Sequence, residues 1–270
     1  HEIKNPLTPI QLSADRIKRK FRRLLGDEDG ATLEQLEQGA RDVESGARMS
    51  EELLDALEAG SSVGGARPKA TISQGDRHLI AKFSSLTDNY PVMKAEAVAM
   101  ALARRVGLSV AKTELVQVAG RDVLLVERFD RGPGGTRRAF VSALTIARES
   151  EMNARYATYT GLADALRVGS ATRGETLKEL FGRIVFNILV SNTDDHARNH
   201  AAFVDGDGGL DLTPAYDICP QNRTGQEAAQ AMAFGPAGER LSQVAECVRV
   251  ARFYDLSERG ARNIIDRQLN

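Results

Sequence analysis

At 270 residues the chain has room for one large domain or two lobes. A hydrophobic content of 42%, a charged content of 27% and a net charge of −1 are ordinary for a soluble globular protein and give no electrostatic case for nucleic acid or membrane as the main partner. No run reaches the roughly eighteen apolar residues of a membrane span, and the two cysteines, Cys219 and Cys247, are too few for a disulfide framework and lack metal-ligand spacing, which fits a reducing cytoplasm.

The chain opens at His1 rather than Met and so reads as a processed piece or fragment. Residues 1–21 are HEIKNPLTPIQLSADRIKRKF. They resemble the H-box of two-component sensor histidine kinases. There the histidine accepts the phosphoryl group, the next Glu assists, and a proline kinks the helix. Here Ile10, Leu12, Ile17 and Phe21 form only a partial apolar stripe, and the boxes of a histidine-kinase ATP domain are missing. Residues 1–25 are therefore expected to be a remnant or fused helix. GDEDG at 26–30 is a polar break. Beyond it the charge turns acidic, from Glu34 to Glu58, with two short helices expected around Leu36 and Leu54.

Residues 60–70, GSSVGGARPKA, gather glycines and serines whose backbone N–H groups suit phosphate oxygens. The run lacks the GK[ST] of a Walker A loop. LIAKF at 79–83 predicts a short apolar strand interrupted by Lys82. A lysine inside such a strand requires a partner, and the helix predicted over 92–106 offers Glu96. Residues 110–118 and 121–129 predict a hairpin about Ala119-Gly120 that ends in charge, VLLVERF, and GPGG at 132–135 marks a lobe boundary.

The second half predicts helices over 142–147 and 156–166. A third holds a 3.6-residue apolar period from Leu177 to Leu189. Phe203-Val204 and Leu210–Leu212 bracket a DGDGG turn and predict a small hairpin. Asp205 and Asp207 read as turn residues, because EF-hand spacing is absent. Helices over 240–252 and 257–268 follow.

The chemistry concentrates in 187–217, NILVSNTDDHARNHAAFVDGDGGLDLTPAYD. Asp194 and Asn199 stand five residues apart, the spacing of a kinase catalytic Asp and its metal-binding Asn. Asp217 follows, in the place of a second metal-binding Asp expected on a nearby strand. Carboxylate and amide oxygens suit Mg2+, and a carboxylate that orients a hydroxyl and takes its proton is what phosphoryl transfer requires. HRD and DFG are absent. Charge alone does not choose between Asp194 and Asp195; the spacing to Asn199 selects Asp194.

TDDHARN, LTPAYDI, VERFDR and GSSVGGARPKA together resemble the HipA family of serine/threonine kinases, the toxin half of bacterial toxin–antitoxin pairs. The resemblance runs from about residue 33 to the end. It implies an α+β, two-lobed protein-kinase-like fold, with an N-lobe over 31–131 and a helical C-lobe over 136–270 that looks C-terminally truncated. It implies ATP and Mg2+ as cofactors. Asp194 would be the base, Asn199 and Asp217 would hold the metal, and Lys82 backed by Glu96 would hold phosphates. Gly64, Gly65, Ala66, Arg67, Pro68 and Lys69 would cover the nucleotide, and Glu127, Arg128 and Phe129 would form the hinge that reads adenine. His196, Ala197, Arg198 and Tyr216 would lie near the nucleotide, with packing as an equal alternative for His196. Ser62 would be a site of autophosphorylation that ejects the loop. The implied partners are a protein substrate such as an aminoacyl-tRNA synthetase and a helix-turn-helix antitoxin of HipB type, with DNA reached only through that antitoxin. Two other readings stay open: a catalytically dead nucleotide-binding fragment, and a histidine phosphotransfer module built on His1.

Overall fold

The computed structural model describes residues 69–74, 77–84, 88–118, 121–223 and 227–270. The segment resembling an H-box, the acidic helices, Ser62 and the loop residues Gly64 to Pro68 lie outside the described residues.

The chain divides into two compact units. The first holds the described residues up to Ala97 together with Lys112–Arg137. Its four-stranded antiparallel sheet has the order β1 (Lys69–Gln74), β2 (Arg77–Phe83), β4 (Arg121–Glu127), β3 (Thr113–Val118). On β2 the burial alternates with the pleat: Leu79, Ala81 and Phe83 are buried, and Lys82 falls on the other face. The central strand β4 buries Val123, Leu124, Leu125 and Val126 consecutively. This is the pattern of a strand covered on both faces.

Helix α1 (Val92–Arg105) starts directly after Pro91, whose missing N–H costs nothing at a helix start. Its buried positions Met93, Glu96, Met100 and Ala103 follow a 3,4,3 spacing, so Glu96 stands inside an otherwise apolar stripe. The unit division falls within this helix, and Val98–Ala111 belongs to the second unit. The tail of this segment is hydrogen-bonded there: Ser109 N donates to Glu179 Oε1 (3.1 Å), Ala111 N to the carbonyl of Ala215 (2.9 Å), and Ala215 N to that of Ser109 (2.8 Å).

The second unit carries the three-stranded antiparallel sheet β5 (Phe140–Ser142), β6 (Ala201–Val204), β7 (Leu210–Leu212) and most of the helices. These are α2 (Ala143–Ile146), α3 (Tyr159–Gly169), α4 (Arg173–Leu189), α5 (Val244–Val250) and α6 (Glu258–Leu269). Ser142, Thr158 and Ser257 cap α2, α3 and α6 by accepting from Thr145 N, Gly161 N and Gly260 N. The predicted start at Tyr156 moves to Tyr159 because Glu151–Tyr156 is a separate 3-10 helix. The predicted helix over 240–252 begins only at Val244. Arg240 pairs its backbone with Gln230 N and donates to the carbonyls of Ala231 and Arg155, which holds the chain extended.

Helix α4 centres the core. Leu177, Leu180, Phe181, Ile184 and Val185 are fully buried, and Phe181 meets Tyr254 at 5.6 Å between ring centroids. Burying each such side chain stabilises the fold by about 1.5–3 kcal/mol. Gly182 lies where a Cβ would come within 3.1 Å of Leu108, so this turn of α4 packs too closely for a larger residue. The turn after β6 is tied by Asp205, whose Oδ1 accepts from Asp207 N and Gly209 N at 3.0 and 2.6 Å. Asp205 acts there through its side chain as a turn former. Among the described residues no helix is long and apolar enough to cross a membrane.

Candidate active site

The sequence brings two acidic neighbours, Asp194 and Asp195, to the end of α4, and the structure treats them differently. Asp194 is exposed, whereas Asp195 is 0% exposed. Asp195 Oδ2 accepts from Tyr159 Oη at 2.6 Å, and Oδ1 accepts from Ala231 N at 2.8 Å. Burial pushes the Asp195 carboxyl up to about 6, against those bonds, which favour its charged form.

The loop is closed on itself. Asn199 Nδ2 donates to the carbonyl of Asp194 (3.1 Å) and Asn199 N to that of His196 (2.8 Å). With its amide nitrogen committed, Asn199 has Oδ1 left as an oxygen donor. His196 Nδ1 is shut from solvent without a hydrogen-bond partner in the described protein. Ala197 is 1% exposed and its methyl packs in the core, so a nucleotide contact there falls to the backbone. The Arg198 guanidinium is engaged by Glu151, and its carbonyl accepts from Tyr216 Oη at 2.8 Å.

Asp217 adopts φ 60, the left-handed region. Strained backbone of this kind in a non-glycine residue persists only where the surroundings impose it. Those surroundings are present. Thr213 N bonds the carbonyl of Ala201 (3.1 Å), Ala215 bridges to Val110, and Gln221 N bonds the carbonyl of Ser191 (2.9 Å). The buried Arg183 adds a bond to the carbonyl of Thr213 at 2.8 Å. Asp217 is not on a strand; it follows the isolated bridge at Ala215.

In the first unit, Lys82 Nζ meets Glu96 Oε1 at 2.5 Å, with the lysine 13% and the glutamate 2% exposed. Lys69 stands opposite Lys82 in the strand register. The three residues expected at the hinge are more constrained than the sequence implied. Glu127 N donates to the carbonyl of Lys112 and Arg128 N to that of His78, both at 2.8 Å. The buried Arg128 side chain grips Asp130 with two bonds, 3.0 and 2.8 Å. The backbone N–H groups of these two residues are committed inside the unit, so backbone recognition of adenine by them falls to the carbonyls.

Sequence reasoning passed over the polar residues beneath the loop: Tyr159, Asn187, Asn192, His200 and Gln230, all buried. Asn187 carried a signal, as an amide inside an apolar helical period. Tyr159 and Gln230 lie too far away in the chain to have carried one.

The class that the fold defines is protein-kinase-like. The chain is similar in fold to the proinflammatory kinase CtkA of Helicobacter pylori (TM-score 0.51, 12% identity, 74% of this chain and 89% of that one). It is similar in fold also to HipA of Shewanella oneidensis MR-1, solved with HipB and its operator DNA (TM-score 0.64, 20% identity, 77% of this chain and 55% of that one). In sequence it is 33% identical to the putative kinase Y4mE of Sinorhizobium fredii over 147 residues, 52% of this chain and 33% of that protein. A 23-residue stretch is 87% identical to the nitrogen regulation protein NtrY of Azorhizobium caulinodans, 8% of this chain and 3% of that protein. The model of the HipA-like C-terminal domain matches residues 61–270, and the chain belongs to that family. It spans about a third of the length of Y4mE and 55% of the HipA chain.

Proposed function

We propose that the chain is an ATP- and magnesium-dependent protein serine/threonine kinase. The observation that carries this reading is the exposed carboxylate of Asp194 on a loop closed by Asn199. Asp194 accepts a hydrogen bond from the acceptor hydroxyl and takes its proton as that oxygen attacks the terminal phosphorus of ATP. The new O–P bond forms as the bond to the ADP oxygen breaks. Lys82, held by Glu96, binds phosphate oxygens.

Asn199 Oδ1 and the Asp217 carboxylate are hard oxygen donors, which fits magnesium, an ion usually held by one or two carboxylates together with substrate phosphates. When bound, the ion neutralises charge on the phosphates. The unpartnered His196 Nδ1 suits a phosphate oxygen or a water. Residues 64–69 would cover the phosphates, and Ser62 would take the terminal phosphoryl group of ATP in a reaction catalysed by the chain's own site, with ADP leaving. A phosphoserine of about −1.5 to −2 charges there competes with ATP for the loop's N–H groups.

The HipA–HipB–operator DNA assembly supports an antitoxin of HipB type as partner, and the family resemblance implies a cytoplasmic setting and a protein substrate such as an aminoacyl-tRNA synthetase. Incubation with γ-labelled Mg-ATP tests the reading. Acid-stable phosphoserine on the chain or on a protein acceptor supports it. Calorimetric binding without transfer supports a nucleotide-binding fragment without turnover. Acid-labile label on His1 supports phosphotransfer.

A further inference from the structure

A tyrosine hydroxyl has one proton to give and two lone pairs to accept with. Tyr159 Oη uses all three. It donates to Asp195 Oδ2 at 2.6 Å, so its contacts with His200 Nε2 (2.9 Å) and Asn187 Nδ2 (3.2 Å) are bonds it accepts. Every member is buried: Tyr159 and Asp195 at 0%, Asn187 at 3% and His200 at 6% exposure. The bonds spread from there to both ends of the loop. Asn187 Oδ1 accepts from Asn192 Nδ2 (3.1 Å), and the Asn192 carbonyl accepts from Gln230 Nε2 (2.9 Å). At the other end, the His200 carbonyl accepts from Ala143 N (2.7 Å).

We propose that Tyr159 is the positioning residue of the catalytic loop: its hydroxyl holds Asp195 and His200 inward and so fixes the turn that presents Asp194 outward. The inference rests on the reading of Asp194 as base. Between residues 192 and 200 the chain has one inward carboxylate, Asp195, and its neighbour Asp194 is exposed. Asp195 Oδ1 on Ala231 N fastens the same point to a third segment. Tyr159 itself is fixed at the first turn of α3, where its N–H bonds the carbonyl of Ala233 at 2.8 Å. The hydroxyl thus joins the helix, the loop and the 230–234 segment. Removing it leaves three buried partners without their bond, which a cooperative network tolerates poorly. Asp195→Asn is different. An amide there keeps an oxygen for Ala231 N and turns its NH2 to Tyr159 Oη, whose O–H is then free to donate to His200 Nε2.

The test uses the whole chain. Hydrogen exchange over residues 192–200 and steady-state transfer with Mg-ATP are measured in Tyr159→Phe and Asp195→Asn. In Tyr159→Phe the loop amides are expected to exchange at least tenfold faster while α4 keeps its protection. The kcat is expected to fall at least tenfold, with the KM for ATP within threefold. Asp195→Asn is expected to stay within threefold of the parent on all readouts. Parent-like loop exchange in a folded Tyr159→Phe overturns the proposal. So does parent-like kcat in that variant. If the parent transfers no phosphoryl group, the kinase reading fails and the exchange result still decides the positioning role. If Tyr159→Phe does not fold, Gln230→Ala takes its place; threefold faster loop exchange supports the proposal and parent-like exchange overturns it.

Discussion

Asp194 and Asp195 are joined by one peptide bond and live in different media: the first faces solvent, and the second is 0% exposed with both oxygens hydrogen-bonded. A proton acceptor for an incoming hydroxyl has to be reachable, and only one of the two is. Asp194→Asn is expected to lower turnover by about 10²–10⁴-fold, since an amide cannot take the proton. Its unfolding midpoint should stay near the parent's, because the side chain makes little buried contact. Asp195→Asn should retain most of its turnover. Label transfer alongside thermal unfolding checks both, and equal losses in two folded variants would sink the assignment.

The Lys82–Glu96 pair makes a second prediction. Lys82→Met removes the lysine from a carboxylate that is 2% exposed. Removing one partner of a buried pair costs about 3–5 kcal/mol, whereas replacing both with apolar residues of similar volume is often neutral. The double variant Lys82→Met/Glu96→Leu should therefore recover most of the stability lost by Lys82→Met and none of its activity. Chemical denaturation with a parallel transfer assay separates the two outcomes. Recovery of activity in the double variant would show that Lys82 serves the fold alone.

Asp217→Ala should weaken nucleotide binding in magnesium much more than in its absence. A carboxylate repels triphosphate oxygens unless a cation stands between them, so its contribution appears only with the metal. Calorimetry with ATP, with Mg2+ and with EDTA, measures this. Unchanged affinity in magnesium would make the residue structural, a holder of the φ 60 turn.

The raised carboxyl of Asp195 sets a pH dependence of stability. Its value of about 6 in the folded chain lies above the ordinary 3.8, so the folded state holds the proton more tightly than the unfolded state. That contribution is fully present below about pH 4 and is lost as pH rises through about 6. The stability cost of Asp195→Asn should therefore be larger at pH 4 than at pH 7. His200 is pushed down to about 3, first by burial and then by Arg183 and His196. It destabilises the fold as pH falls below the ordinary histidine range, but parent and variant share it and the difference cancels it. Urea unfolding of both proteins across this range is the measurement. A cost independent of pH would show that the carboxyl is not perturbed.

The sequence by itself determined most of the elements and their order, though not β1, β5 or the 3-10 helix Glu151–Tyr156. The alternation around Lys82, the 3.6-residue period of Leu177 to Ile188 and the turn chemistry of Asp205 are local properties, and each formed as its pattern required. Local spacing likewise placed Asp194 and Asn199 on one loop. Only the tertiary structure decided which of two adjacent carboxylates faces water, because that depends on Tyr159, 36 residues earlier than Asp195, and on Ala231, 36 residues later. It decided the start of α5 at Val244, since bonds from Arg240 to Ala231 and Arg155 outweigh helix propensity there. It also decided that the Arg128 guanidinium is bonded to Asp130 through Nε and Nη2. A buried polar group takes whichever partner the fold brings within reach, and sequence spacing does not record that reach.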